Sequence, residues 1–274
     1  MKIFREPGKL NAWCCKQHLA RRKVALVPTM GYLHEGHISL IEEAKRRGAD
    51  EIVVSVFVNP VQFGPNEDYA RYPRDEKADR AKCRAAGATA MFFPTPENMY
   101  LPGHSVYVNE ESLSQGLCGA RRPGHFRGVC TVVAKLFNLV RPDFAVFGQK
   151  DYQQAQIIRR MVRDLNFGIE IVVAPIVRER SGLARSSRNT YLTGEERANA
   201  AEISRQLAAV ECGEPVARAR SRIVRRLERC GLKPDYVEFV DGETLAPVKR
   251  TAPGVCVLVA AYAGKTRLID NRVL

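Results

Sequence analysis

A Rossmann-like, doubly wound parallel α/β sheet with a second, smaller C-terminal α/β domain is the fold that this sequence predicts. Two observations carry the prediction. Short β-branched runs alternate with helical patterns through the first part of the chain, and the runs lack polar–apolar alternation, as strands covered on both faces should. Beyond residue 178 the composition changes to polar helices followed by strands joined by short turn-rich links, which suits hairpin-like antiparallel pairing. The expected domains are residues 1–177 and 178–274.

Taken in order, the expected strands are VALVP (24–28), EIVVSVFV (51–58), TAMFFP (89–94), DFAVFG (143–148) and EIVVAP (170–175). The segment ISLIEEAKRRG sets Ile38, Ile41 and Ala44 at helical spacing, and closes with Lys45, Arg46, Arg47 and Gly48, which suit the negative end and left-handed cap of a helix. GVCTVVAKLFNLV places Val129, Val132, Val133, Leu136, Phe137 and Val140 on one stripe, and YQQAQIIRRMVRDL repeats the pattern with Ala155, Ile158, Met161, Val162 and Leu165. In the C-terminal part, TGEERANAAEISRQLAAV and PVARARSRIVRRLERC read as helices and DYVEFV, GVCVLVAAYAG and TRLID as strands, with LKPD and GETLAPVKRTAPG as links. No internal repeat or low-complexity segment interrupts this order.

Composition narrows the classes. No apolar run approaches the roughly 20 residues needed to cross a bilayer, and MKIFREPGKLNAW lacks the apolar stretch of a signal peptide, so the expectation is a soluble cytoplasmic protein without membrane contact. The eight cysteines form no C-x-x-C pair and read as reduced thiols. A formal net charge of +13 raises nucleic acid as a partner. The basic residues are scattered among acids, however, and the densest run, ARARSRIVRRLER, reads as a solvated helix with Ile223, Val224 and Leu227 inward. No nucleic-acid partner is expected; diffuse positive potential also suits small anionic substrates.

The stretch PTMGYLHEGH, Pro28 to His37, sits between the first strand and the helix after it. Zinc is the weaker reading, because His34 and His37 are three apart rather than four and Gly36 lies between them. A strand–loop–helix junction aims unpaired N–H groups and about half a positive charge beyond the sheet, where phosphate is favoured, and two histidines would add donors. Alternatively both are ordinary polar residues of a loop and first helical turn. Other strand ends offer similar choices. Lys150 in FGQKDYQQ could meet a phosphate or be solvated, and Asp151 would cap the next helix in either case. Arg185, Ser186, Ser187, Arg188 and Asn189 supply donors for a phosphate chain, or form a polar linker. Gln62 and Gln154 could donate to and accept from hydroxyl or carboxylate groups, or lie on the surface. GARRPGHFRG, with Arg121, Arg122, His125 and Arg127, is either an anion-contacting loop or a solvated turn. There is no nucleophile–base pair, Walker loop or dinucleotide fingerprint. A reaction in which the substrate brings its own nucleophile requires none.

In combination these motifs say more. PTMGYLHEGH, VSVFVNPVQFGPNEDYARYPR, RPGHFRGVCTVVAKLFNLVRPD, FGQKDYQQ and GLARSSRN, in that order and spacing, resemble the pantoate–β-alanine ligase family of coenzyme A biosynthesis over essentially the whole chain. The resemblance implies an ATP-dependent amide synthesis through an acyl adenylate. His34, His37, Lys150, Ser186 and Ser187 would act on the phosphates. Met30, Gly148, Asp151, Val177 and Arg188 would complete the ATP site, and Pro28, Met30, Gln62 and Gln154 would hold pantoate beside Phe57 and Phe147. It further implies Mg2+ accompanying ATP without a dedicated protein metal site, a GPNED loop acting as a mobile cover, a C-terminal domain over the active site, and a homodimer. Two other readings are kept: a nucleotidyltransferase using another acid, and a basic nucleic-acid-binding protein on the same fold. Three positions depart from the family pattern. Gln149 stands for Glu, Ser181 for Asp, and Arg185 for an apolar residue; Arg185 is expected to face solvent or phosphate.

Overall fold

The computed structural model describes residues 1–65 and 67–274. It opens with β1 (Lys2–Phe4), α1 (Pro7–Leu19), β2 (Val24–Thr29), α2 (Glu35–Arg46) and β3 (Glu51–Val56). There follow α3 (Glu76–Ala86), β4 (Ala90–Phe92), the short helices α4 (Pro96–Met99) and α5 (Leu117–Arg121), α6 (His125–Val140), β5 (Phe144–Gly148), α7 (Tyr152–Asp164) and β6 (Glu170–Ala174). The C-terminal part holds α8 (Gly194–Ala200), α9 (Glu202–Ala208), α10 (Val216–Arg229), β7 (Leu232–Asp241), β8 (Val255–Ala263) and β9 (Thr266–Val273). Tight 3-10 turns occupy Pro60–Gln62, Gln149–Asp151 and Ser187–Tyr191.

The chain forms two compact units: Met1–Gly148 with Gln154–Ala174, and Gln149–Gln153 with Pro175–Leu274. The first is built on a six-stranded sheet of order β1-β4-β3-β2-β5-β6, parallel at every pairing. Its central strands are buried along nearly their whole length, which explains their β-branched, non-alternating sequences. On one face Ala25, Val27, Val54 and Val146 pack with Leu40, Ile41 and Ala44 of α2. The strand order reverses between β2 and β5. Ligands of doubly wound sheets bind at such a switch point, and here Pro28–Met30 and Gly148 lie at the carboxyl ends of those two strands.

In the second unit β7, β8 and β9 form an antiparallel sheet. Its core joins Val257, Val259 and Ala261 of β8 to Ile203 and Leu207 of α9 and to Ala219, Ile223 and Leu227 of α10. The basic run in α10 thus buries one stripe, as expected. The expected link LKPD is instead the start of β7. Pro234 is tolerated there because β7 is an edge strand, and the register shifts between Pro234 and Tyr236. The single helix expected over TGEERANAAEISRQLAAV is divided at Ala201.

Candidate active site

The histidine loop is fixed from both ends. His34 is the N-cap of α2, with Nδ1 accepting from the Gly36 N–H at 3.1 Å, while His37 Nδ1 accepts from the His34 N–H at 3.3 Å. The rings lie 4.1 Å apart, tilted by 33°. This is a capping box built from two imidazoles in place of the usual hydroxyl and carboxylate. Because both Nδ1 atoms accept, each neutral ring carries its proton on Nε2. The same bonds that start the helix therefore place two imidazoles, each protonated at Nε2, at its positive end.

Upstream, the loop bends through left-handed backbone at Gly31 (φ 86°) and Tyr32 (φ 50°). A Cβ at residue 31 would stand 2.8 Å from Val56 Cγ1, so only glycine fits. Asp79, 1% exposed on α3, accepts from the N–H groups of Tyr32 at 2.9 Å and Leu33 at 2.7 Å. Burial pushes the Asp79 carboxyl above its usual range, and the two amide bonds pull it back in part. Lys82 Nζ, one turn on, donates to Leu33 O at 2.5 Å.

Gln62 is buried and oriented by a second network. Asn59, 1% exposed, donates through Nδ2 to Gln62 Oε1 and to Gly128 O, both at 3.1 Å, and accepts from Tyr100 Oη at 2.8 Å. With its oxygen engaged, Gln62 turns Nε2 toward Met30 Sδ at 3.2 Å, so two expected acid-binding residues meet. His125 Nδ1 lies 2.8 Å from Gln62 O, and its Nε2 lies 2.9 Å from Arg122 Nη1. Since Arg122 can only donate, Nε2 accepts and Nδ1–H donates to the carbonyl. A Cβ at Gly128 would come within 2.6 Å of Gln62 Cα, so this glycine lets α6 approach the turn.

The loop GARRPGHFRG fits neither of its two expected descriptions at Arg122 and His125. Arg122 forks onto both carboxylate oxygens of Glu67 at 2.6 Å, and Arg127 stacks 3.8 Å over the Tyr107 ring. The expected cover GPNED includes Asn66, which lies outside the described residues. Gln154 is half-buried on the first turn of α7, and Phe57 and Phe147 are buried near the ends of their strands.

In the second unit, Lys150 and Asp151 occupy the 3-10 turn directly before α7. Asn271 of β9, 2% exposed, donates through Nδ2 to Gln149 O at 2.9 Å and Lys150 O at 3.0 Å, and accepts from Gln149 Nε2 at 3.2 Å. Ser186 caps the turn Ser187–Tyr191 by accepting from the Arg188 N–H at 3.3 Å, and Ser187 is buried. Val177 accepts from the Arg185 N–H at 2.9 Å. Behind the serines, Glu179 accepts from Arg197 at 2.7 and 2.9 Å and from Asn189 Nδ2 at 3.0 Å. The Arg197 bonds hold its carboxyl below the usual range.

Asn59, Asp79 and Asn271 were not singled out by sequence. Asp79 and Asn271 lie on elements whose sequence carries no motif, Asn59 stands beside the more conspicuous Gln62, and burial is the signal that exposes all three.

Residues 2–273 match the family model described as Pantoate-beta-alanine ligase. The chain belongs to the pantoate–β-alanine ligase family. It is 54% identical to a pantothenate synthetase of Myxococcus xanthus (strain DK1622), covering 99% of this chain and 96% of that one. With the enzyme of Anaeromyxobacter dehalogenans (strain 2CP-C) the identity is 55%, over 98% and 97%. Among solved structures, the pantothenate synthetase of Thermus thermophilus superposes with a TM-score of 0.92 at 45% identity, covering 100% of this chain and 99% of that one. The ligase of Francisella tularensis, described as complexed with beta-gamma ATP and beta-alanine, gives 0.84 at 32% identity, over 100% and 97%.

The three departures from the family pattern have local accounts. Gln149 supplies the N–H that Asn271 Oδ1 accepts. Ser181, exposed in the turn 179–183, accepts from the Leu183 N–H at 3.4 Å, as an Asp would in an Asx-type turn. Arg185, expected to face solvent or phosphate, has its guanidinium 3.9 Å from the Glu179 carboxylate, which balances its charge within the loop.

Proposed function

We propose that the protein condenses pantoate with β-alanine at the expense of ATP, giving pantothenate, AMP and pyrophosphate. Membership of the family over the full chain supports the reaction, and the observation that carries the site is the paired-histidine cap at the β2/β5 switch point. In the first step a pantoate carboxylate oxygen attacks the α-phosphorus of ATP, and the bond to the pyrophosphate oxygen breaks. In the second the β-alanine amine attacks the acyl carbon, AMP leaves, and the amine gives up its proton.

Charge builds on α-phosphate oxygens and the departing pyrophosphate, so preorganised donors supply most of the acceleration. We assign that work to the Nε2–H groups of His34 and His37, to Lys150, and to Ser186 and Ser187. Met30, Gly148, Asp151, Val177 and Arg188 are assigned to the rest of the nucleotide. Pantoate is assigned to Pro28, Met30, Gln62 and Gln154; the sulfur opposite Gln62 Nε2 is a weak acceptor that a ligand oxygen would outcompete. Among the described residues no three His, Cys, Asp or Glu side chains gather to hold a metal. A Mg2+ entering with ATP would take most of its ligands from phosphate and water, and would supply charge neutralisation there. Assembly as a homodimer in the cytoplasm belongs to the same reading.

The test is pyrophosphate release from ATP with pantoate alone, then with β-alanine added and the product identified by mass. Release that requires pantoate, followed by β-alanine-dependent pantothenate and AMP, is the expected result. Folded, ATP-binding protein that stays silent with pantoate but responds to another carboxylic acid would redirect the assignment. Steeply salt-dependent nucleic-acid binding without pyrophosphate release would replace it.

A further inference from the structure

Lys150 sits in an awkward place for a residue that must aim a charge. It lies between the last residue of β5 and the first of α7, in a 3-10 turn of three residues. Such a turn has poorer hydrogen bonding than an α-helix and does not by itself fix the direction of a long side chain.

What fixes its backbone comes from far along the chain. Asn271 uses both Nδ2 hydrogens on consecutive carbonyls, those of Gln149 and Lys150, and its one carbonyl oxygen on Gln149 Nε2. Its own N–H donates to Asp270 Oδ1 at 2.8 Å. Asp270, 4% exposed, meets Arg178 through both oxygens, at 2.6 and 2.9 Å, and the same Arg178 donates to Gly182 O at 3.1 Å. Two adjacent buried side chains on β9 thus hold the Lys150 turn on one side and the 178–182 turn, upstream of Ser186, on the other.

We propose that Asn271, with Gln149 as its amide partner, is a positioning residue that sets the backbone of Lys150 for adenylate formation. The inference rests on the role assigned to Lys150 above. The side chain at 149 is part of the device. With both Asn271 hydrogens committed to carbonyls, its oxygen needs a donor, and Gln149 provides one. A carboxylate at 149 would instead confront that oxygen, at the cost of a repulsive contact between two acceptors.

The experiment compares Asn271→Ala, Asn271→Asp, Gln149→Ala and Gln149→Glu with the starting protein, in pantoate-dependent pyrophosphate release. Lys150→Ala is measured alone and combined with each. Asn271→Ala and the near-isosteric Asn271→Asp should lower kcat about 10- to 100-fold, the range a small misplacement produces. Gln149→Ala and Gln149→Glu should lower it about 3- to 10-fold, since each removes one of three bonds.

The deciding readout is coupling. If Asn271 acts through Lys150, Lys150→Ala should cost several-fold less in the Asn271 variants than alone, because residues acting as a unit are not additive. A merely structural role would lower the melting temperature and leave the Lys150→Ala factor whole; that result overturns the proposal, as would unchanged kcat in both Asn271 variants. Should the Asn271 variants fail to fold, the same coupling is read from Gln149→Ala and Gln149→Glu, which alter a half-buried side chain. If the starting protein releases no pyrophosphate with pantoate, or Lys150→Ala alone is harmless, the fault lies with the reaction or with Lys150 and not with Asn271.

Discussion

The two groups of residues assigned above to phosphate are held in opposite ways. His34 and His37 are set by bonds that close within the loop itself, each ring accepting a backbone N–H no more than three residues away. Lys150 and the 178–182 turn upstream of the serines are tied to β9, whose Asp270 and Asn271 lie more than 80 positions downstream of the residues they bond. The first arrangement can be written into ten consecutive residues. The second needs strand β9 in place before its long-range bonds can form.

Substitutions at His37 break this comparison with the largest expected effect. Losing a transition-state donor costs about 100- to 1,000-fold in rate, which is expected in adenylate formation for His37→Ala and, by the same argument, Lys150→Ala. His37 also closes the capping box of α2 by accepting from the His34 N–H, so its removal should lower stability as well. His37→Gln separates the two roles. A glutamine at this third helical position can still accept from the His34 N–H, so stability should stay near that of the parent while the rate remains at least about 100-fold down. A glutamine variant that recovered the rate to within about 10-fold would show that the ring at 37 serves only the helix.

Asp79 gives the next effect. Its carboxylate accepts two N–H groups; the amide of Asp79→Asn can accept one, with its NH2 set against the other. The bend at Gly31 and Tyr32 should loosen, lowering kcat for adenylate formation about 10-fold while leaving the KM for β-alanine in place. A variant within about two-fold of the parent in kcat would mean that the histidine cap needs no help from α3. That outcome would sharpen the contrast, leaving the histidine group wholly local.

How much of this was legible follows from where each constraint is written. The parallel sheet, the antiparallel unit and the strand–loop–helix junction at Pro28–His37 could be read because their signals are periodic or contiguous. Helix α3 could not. Its inward face is made of Asp79 and Cys83 in the segment EKADRAKCRAA, so the residue that supports the loop also removes the apolar stripe by which a helix is recognised. Strand β1 and helix α1 were missed for a related reason, with three residues in one and only Leu10, Trp13 and Cys14 buried in the other. Arg122 and His125 could be read as anion contacts or as a solvated turn because sequence shows the donors but not the Glu67 carboxylate and Gln62 carbonyl that accept from them. Asn271, near the end of a strand, had nothing to distinguish it.

The smallest effect concerns how each half responds to acid. Glu179 has its pKa lowered, first by the Arg197 bonds, so its contribution to stability is present above the ordinary value of 4.5 and is lost as pH falls through the lowered pKa. Asp79 runs the other way. Burial raises its pKa, so its contribution is fully present below the ordinary value of 3.8 and is lost as pH rises through the raised one. Glu179→Gln should therefore destabilise the protein by about 1 kcal/mol near neutral pH, a figure kept low because Arg197 is 44% exposed and solvent screens the pair. Urea unfolding of parent and variant at about pH 7 and about pH 4 measures it; the difference should shrink at the lower pH, and turnover should change less than about three-fold. A difference that grew in acid would mean that folding favours the protonated carboxyl, so that Glu179, like Asp79, is governed by burial rather than by its Arg197 and Asn189 donors.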